Sequence, residues 1–246
     1  MKTIVLGDTH GRGMWQHIVK NESFDRVIFV GDYWDSFDVP FLEQMYNFKQ
    51  IVHFARTSDK EVILLTGNHD VHYQKWALQA GESYSGFQSV HANDICQELQ
   101  LNEDIMQMAY KMDNFLFTHA GVTKTWLELM EIENDINMVD VINDIAKFKP
   151  RMFGFGAVGN GGYVDGYGDN VWQNPTWVRP KSLMKDSKDL NYIQVVGHTG
   201  QNQIDIKGKS TGGKYYFIDT LGTSGEYLII EDGKVSAGKF DVAWIM

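Results

Sequence analysis

Short apolar runs recur along the chain, and the polar residues cluster where those runs stop. Residues 3–6, 26–30 and 61–66 are β-branched or aliphatic over most of their length, which predicts strands covered on both faces. Residues 14–20 read as a helix. So does the stretch opened by Pro40, where Phe41, Leu42, Met45, Phe48, Val52 and Ala55 fall at helical spacing. The first 70 residues thus run strand, helix, strand, helix, strand. That rhythm predicts right-handed βαβ units and a largely parallel sheet. Residues 114–118 and 192–196 are two more strand-like runs. Residues 125–149 predict one long helix, stopped by Pro150. Residues 71–101 are irregular and aromatic-rich. The last part of the chain predicts antiparallel strands over 203–206, 215–219, 226–231 and 234–240, the final pair joined by an Asp232-Gly233 turn.

Five of these runs end in similar turns: Gly7-Asp8-Thr9-His10-Gly11, Gly31-Asp32-Tyr33-Trp34-Asp35, Gly67-Asn68-His69-Asp70, Thr118-His119-Ala120-Gly121 and Gly197-His198-Thr199-Gly200. A turn at a strand end has rigid backbone behind it and open space ahead. Taken singly, each polar residue is an ordinary turn residue. Five at strand ends point to one shared site. Asp8, His10, Asp32, Asn68, His119 and His198 offer carboxylate, imidazole and amide donors, a set that suits borderline divalent metals and excludes a thiolate zinc site. Six groups are more than one ion needs, and a carboxylate can bridge. The set therefore fits two cations about 3.5–4 Å apart that bind a phosphoryl oxygen and hold a hydroxide for in-line attack. His17, His53, His72 and His91 lack this context and read as structural or surface residues.

Composition narrows the choices. A formal net charge of −10 disfavours a nucleic-acid partner and suits cation binding. Cys96 is the single cysteine; it excludes an intrachain disulfide and reads as a structural thiol in a reducing compartment. The N-terminal apolar run is short and stops at Asp8, unlike a signal peptide. No run approaches the roughly 20 apolar residues of a membrane helix. The expectation is a cytoplasmic chain with no membrane partner. Residues 1–246 read as one domain, because no linker, repeat or low-complexity tract interrupts them. Residues 153–170 carry seven glycines among aromatics and read as a surface loop or a lid.

The five turns, in this order, resemble the signatures of the calcineurin-like metallophosphoesterases, in the form found in the phosphoprotein phosphatase branch. That branch includes phage and bacterial serine/threonine protein phosphatases and diadenosine tetraphosphate hydrolases. The resemblance runs from residue 7 to 199, and Ile218-Asp219-Thr220 resembles the strand that follows the last ligand. It implies an α/β fold built as a four-layer αββα sandwich of two mixed sheets. It also implies two divalent metal ions, with manganese ahead of iron or zinc. Asp8, His10 and Asp32 would hold the first, with Asp32 bridging; Asn68, His119 and His198 would hold the second. His69 would protonate the leaving oxygen, and Asp35 would orient it. The function implied is hydrolysis of phosphomonoesters, phosphoserine or phosphothreonine in proteins among them. Dinucleoside polyphosphate hydrolysis is the alternative within the class, and an inactive binding scaffold is the alternative outside it. The family's Asp-Arg-Gly is Asp35-Ser36-Phe37 here, so its phosphate-gripping arginine is missing; Arg179 is the candidate to replace it, with Arg12 second. Asp70 stands where the family has Glu. Gly200 stands where the phosphodiesterase branches have a second His.

Overall fold

The computed structural model describes residues 1–134, 136–157 and 166–240. In chain order its strands are β1 (Lys2–Leu6), β2 (Arg26–Phe29), β3 (Glu61–Leu65), β4 (Met106–Gln107), β5 (Ala109–Met112), β6 (Phe115–Thr118), β7 (Ile193–Val196), β8 (Tyr215–Phe217), β9 (Glu226–Glu231) and β10 (Lys234–Lys239). Its helices are α1 (Met14–Asn21), α2 (Phe41–Thr57), α3 (Asn68–Val71), α4 (Lys75–Ala80), α5 (Ala92–Leu101), α6 (Lys124–Leu129), α7 (Met138–Phe148) and α8 (Pro180–Asp186). One sheet has the order β10-β9-β1-β2-β3-β4, the other β5-β6-β7-β8. Both are mixed: β1, β2, β3 and β4 run parallel and β9 antiparallel to β1, while β6, β7 and β8 run parallel and β5 antiparallel to β6.

The period-2 alternation of strand side chains decides the layering. On β1 and β2, Ile4, Leu6, Val27 and Phe29 pack under Trp15, Ile18, Phe48, Ile51, Ile95 and Leu99 from α1, α2 and α5. The intervening Val5, Ile28 and Val30 meet Phe115, Phe117, Val195, Tyr216 and Ile218 of the second sheet. On its far side, Leu116 packs against Trp126, Leu127, Met138 and Ile142 of α6 and α7. Three apolar layers between helices, sheet, sheet and helices make the αββα sandwich that the strand-end motifs implied. Ile28 is fully buried between the sheets. Its replacement by Ala is expected to cost about 2–5 kcal/mol, since a cavity forms where two rigid sheets cannot collapse; urea denaturation measures it.

Several sequence expectations need correction. Residues 203–206 form no strand; Asp205 instead accepts from Ser210 N and Oγ at 2.7 and 2.6 Å, closing a turn. Residues 215–217 pair parallel to β7, so only β9 and β10 form the antiparallel hairpin. Residues 125–149 are two helices, because Glu131 adopts a left-handed φ of 56° just beyond α6. Residues 71–101 hold α4 and α5. Of the glycine-rich stretch, residues 158–165 lie outside the described residues, and the lid assigned to it lies with them. Among the described residues no helix is long and apolar enough to cross a membrane.

Candidate metal centre

Parallel β1, β2 and β3 place their C-terminal ends on one edge of the first sheet, and β6 and β7 do the same in the second. Open α/β sheets gather ligands at such edges. The loops after these strands carry Asp8, His10, Asp32, Asn68, His119 and His198 to a common point. All are buried except His10, which is partly exposed. The backbone is bent to reach it. His10, Asp32, Asp35 and His198 take φ values of 44°, 55°, 67° and 66°, a region that costs non-glycine residues free energy and that clusters at functional sites. Close approach also demands glycine at two places. A Cβ on Gly67 would collide with Asp32 Oδ1, and one on Gly197 would collide with Asp8 Oδ1.

The tautomers follow from the carbonyls that each ring meets, since a carbonyl oxygen only accepts. His10 Nδ1 donates to Trp34 O at 2.6 Å, His119 Nδ1 to Val30 O at 2.8 Å, and His198 Nε2 to Trp177 O at 3.1 Å. Each ring is left with one bare nitrogen. His119 Nε2 and His198 Nδ1 both lie 2.8 Å from Asn68 Oδ1. His119 Nε2 is 3.3 Å and His10 Nε2 4.0 Å from Asp32 Oδ2. In their neutral forms the rings turn lone pairs toward an amide oxygen and a carboxylate, an arrangement that a ring proton or a cation stabilises. Asp8, His10 and Asp32 form one group able to hold a metal ion, and Asp32, His119 and His198 a second; Asp32 is common to both. The donor set thus fits two divalent cations sharing one carboxylate.

The electrostatics agree with that fit. Burial, with the charges of Asp219 and Asp32, pushes the Asp8 carboxyl well above its usual range. Burial also acts on Asp32, but His119, His69 and His10 outweigh it and hold Asp32 well below the usual range. Burial together with the His119 and Arg179 charges pushes His198 well below an ordinary imidazole, which favours its neutral form. Burial and Asp32 raise Asp219 despite nearby His10. A pair of cations would relieve the crowding of Asp8, Asp32 and Asp219.

To the side of this cluster, His69 Nδ1 lies 2.8 Å from Asp35 Oδ2. Its backbone N donates to Asp32 Oδ1 at 2.9 Å, so the carboxylate common to both metal-capable groups also anchors the helical turn that carries His69. Burial pushes His69 down, but Asp32 and Asp35 outweigh it and raise the pKa to about 9. Burial pushes Asp35 up, and its bonds from His69 and His72 more than offset that.

The family model for calcineurin-like phosphoesterases matches residues 1–222. The chain belongs to that family. Membership marks the phosphoesterase as a hydrolase. A cold-active protein-tyrosine phosphatase of a psychrophilic Shewanella species is 19% identical, with a TM-score of 0.62, and the match covers 97% of this chain and 77% of that one. A metallophosphoesterase from Sphaerobacter thermophilus is 11% identical, with a TM-score of 0.50, over 98% of this chain and 88% of that one. Identities this low speak to the fold alone. No curated protein matches the phosphoesterase.

Against the sequence expectations, the six metal-capable residues come together, and so do His69 and Asp35. Arg179 lies beside the phosphoesterase's acidic cluster. Its Nη1 donates to His198 O at 3.0 Å and Thr199 Oγ1 at 3.1 Å, and its Nε to Tyr167 O at 2.7 Å. Burial lowers its pKa against the pull of Asp32, Asp8 and Asp219. Arg12 is tied by Nη2 to Asp38 at 2.7 Å, and Ser36 Oγ bonds the same carboxylate at 2.6 Å.

Asp70 does more than the sequence suggested. Its Oδ2 accepts from Asp32 N at 2.9 Å and Gly67 N at 2.7 Å, and its Oδ1 from Tyr33 N at 2.9 Å. It ties the two ligand-bearing turns together. Burial and the Asp32 charge raise it to about 7 even so. Of the two readings given for His72, the structural one fits: it is fully buried, and its Nε2 lies 2.6 Å from Asp35 Oδ2. Spacing could have found it: His69 and His72 sit three apart on one helical turn and share a face. Two open hollows of about 400 and 390 Å³ lie beside α5 and contain no residue of the candidate centre.

Proposed function

We propose that the chain is a dinuclear metal-dependent phosphoesterase acting on phosphomonoesters. Asp8, His10 and Asp32 hold one cation, and Asp32, Asn68, His119 and His198 the other. The observation that carries this reading is the pair of metal-capable groups sharing Asp32, with the His69–Asp35 pair beside them. When bound, two divalent cations would supply Lewis acidity toward the phosphoryl group and a nucleophile at neutral pH. The chain's own residues do the rest. His69 Nδ1 is spent on Asp35, so Nε2 is the atom left to carry a proton to the leaving oxygen. Asp35 holds the ring in that tautomer and favours its protonated form. Arg179 Nη2 donates to none of the described residues, which leaves it for a phosphoryl oxygen.

Phosphoserine and phosphothreonine in proteins are the first substrate class, and manganese is the first metal to try. The name of the Shewanella relative makes phosphotyrosine a natural member of the panel. The test is a substrate panel of aryl and alkyl monoesters, phosphopeptides, a diester and a dinucleoside polyphosphate, run with manganese and with chelator. Chelator-sensitive monoester hydrolysis is expected. Preference for the polyphosphate would overturn the substrate class, and absence of both metal and hydrolysis would turn the reading into a binding scaffold. Arg179→Ala is expected to raise KM for a monoester about 10-fold or more, because a charge-assisted bond to phosphate is worth about 1.5–3 kcal/mol. Steady-state kinetics measure it, and an unchanged KM and kcat would remove Arg179 from the site.

A further inference from the structure

Asp35 is held more firmly than a partner of one histidine needs to be. Its carboxylate is buried and meets four side chains. On Oδ2, His69 Nδ1 lies at 2.8 Å and His72 Nε2 at 2.6 Å, the latter off the ideal hydrogen-bond angle. On Oδ1, Tyr73 donates through its hydroxyl, and Gln88 Nε2 lies at 3.3 Å. Tyr73 is itself fixed, since its oxygen accepts from Gln88 N at 2.7 Å. Both side chains are fully buried, and aromatic rings enclose them. Tyr84 stacks on His72 with ring centres 5.6 Å apart and planes 7° apart, and Phe87 stacks on Tyr73 at 5.0 Å and 15°. None of this touches the metal groups.

We infer that His72 and Tyr73 are positioning residues for the general acid, holding the Asp35 carboxylate so that one lobe faces His69 and the ring cannot rotate away from the leaving group. The inference rests on the phosphoesterase reading and deepens it. A carboxylate with free χ2 rotation could offer His69 either oxygen in many directions. Here Tyr73 occupies Oδ1, and the His72 ring lies against Oδ2 beside His69. Asp35, His69 and His72 also lie near enough to one another to hold a cation. His69 on Oδ2 and Tyr73 on Oδ1 already serve both oxygens of the carboxylate by hydrogen bonds, with the His72 ring packed 2.6 Å from Oδ2.

A residue that only stabilises the fold would slow all substrates alike. One that aims the acid slows substrates in proportion to their need for a proton. The experiment therefore compares wild type with Tyr73→Phe and His72→Phe on a series of monoesters whose leaving groups run from 2,4-dinitrophenol through phenol to a primary alcohol. Tyr73→Phe keeps the ring in the cage, and His72→Phe keeps an aromatic ring there. Thermal melting and metal content are recorded for each. The kcat for the alkyl ester is expected to fall about 10–100-fold, the usual cost of losing a group that orients a functional side chain. For the dinitrophenyl ester it falls by less than about threefold, because that leaving group needs little protonation. Equal losses across the series, or none, would overturn the inference while wild-type turnover keeps the phosphoesterase reading intact. A third equivalent of metal that vanishes in His72→Phe would also overturn it, since the trio would then be ligands. No turnover of any ester by wild type would sink the phosphoesterase reading itself.

Discussion

Asp32→Asn is expected to abolish hydrolysis and to strip the protein of divalent metal while leaving it folded. Asp32 is common to two of the three groups of metal-capable residues among the described residues. Its two oxygens are already divided, with Oδ1 accepting from His69 N at 2.9 Å and Oδ2 facing His119 Nε2 at 3.3 Å. An amide in its place keeps the shape and one oxygen but supplies no negative charge to a second cation. Three imidazoles stabilise the carboxylate in spite of complete burial, and a neutral amide gives them no charge to meet. A loss of at least about 10³-fold in kcat/KM is expected, the scale on which preorganised charge acts in a transition state. Elemental analysis of the variant, beside its thermal melt, measures the metal. A variant that keeps two equivalents, or more than a tenth of the activity, would refute Asp32 as the shared ligand.

The extent to which the sequence foretold this centre follows from the physics of each part. Val27-Ile28-Phe29 announces a strand buried on both faces, and it is one, with Val27 and Phe29 under the helices and Ile28 between the sheets. The metal-capable residues were legible because they sit one to four residues past such runs, where the strand direction fixes where they go. What escaped depends on contacts that span the chain. The break between α6 and α7 turns on Glu131 at positive φ, a conformation that its residue type does not signal. The role of Asp70 lies in three backbone N–H groups, two of them more than thirty residues away. His72 and Tyr73 lie in a stretch that looks irregular because α3 is only four residues long. Their part is visible only once Asp35 arrives from the loop after β2.

His69→Asn is the second large effect, and it separates the acid from the metals. The side chain touches none of the carbonyls that fix His10, His119 and His198, so both metal groups are expected to survive. Asn cannot deliver a proton, and kcat for an alkyl phosphate is expected to fall about 10²–10⁴-fold, the range for a positioned general acid. The pH profile carries its own signature. The protonated ring is the working form, and its pKa is raised from 6.5 to about 9 by Asp32 and Asp35 against the cost of burial. Activity is therefore lost as pH rises through the folded pKa. Cations beside Asp32 cancel part of the charge that raises it, which moves the alkaline limb of kcat below about 9. In His69→Asn that limb should flatten, because the group that titrates there is gone. A variant with intact metal, full turnover of alkyl esters and an unchanged alkaline limb would show that another group delivers the proton. The Asp35 clamp would then have to be explained as a device for holding the loop rather than the acid.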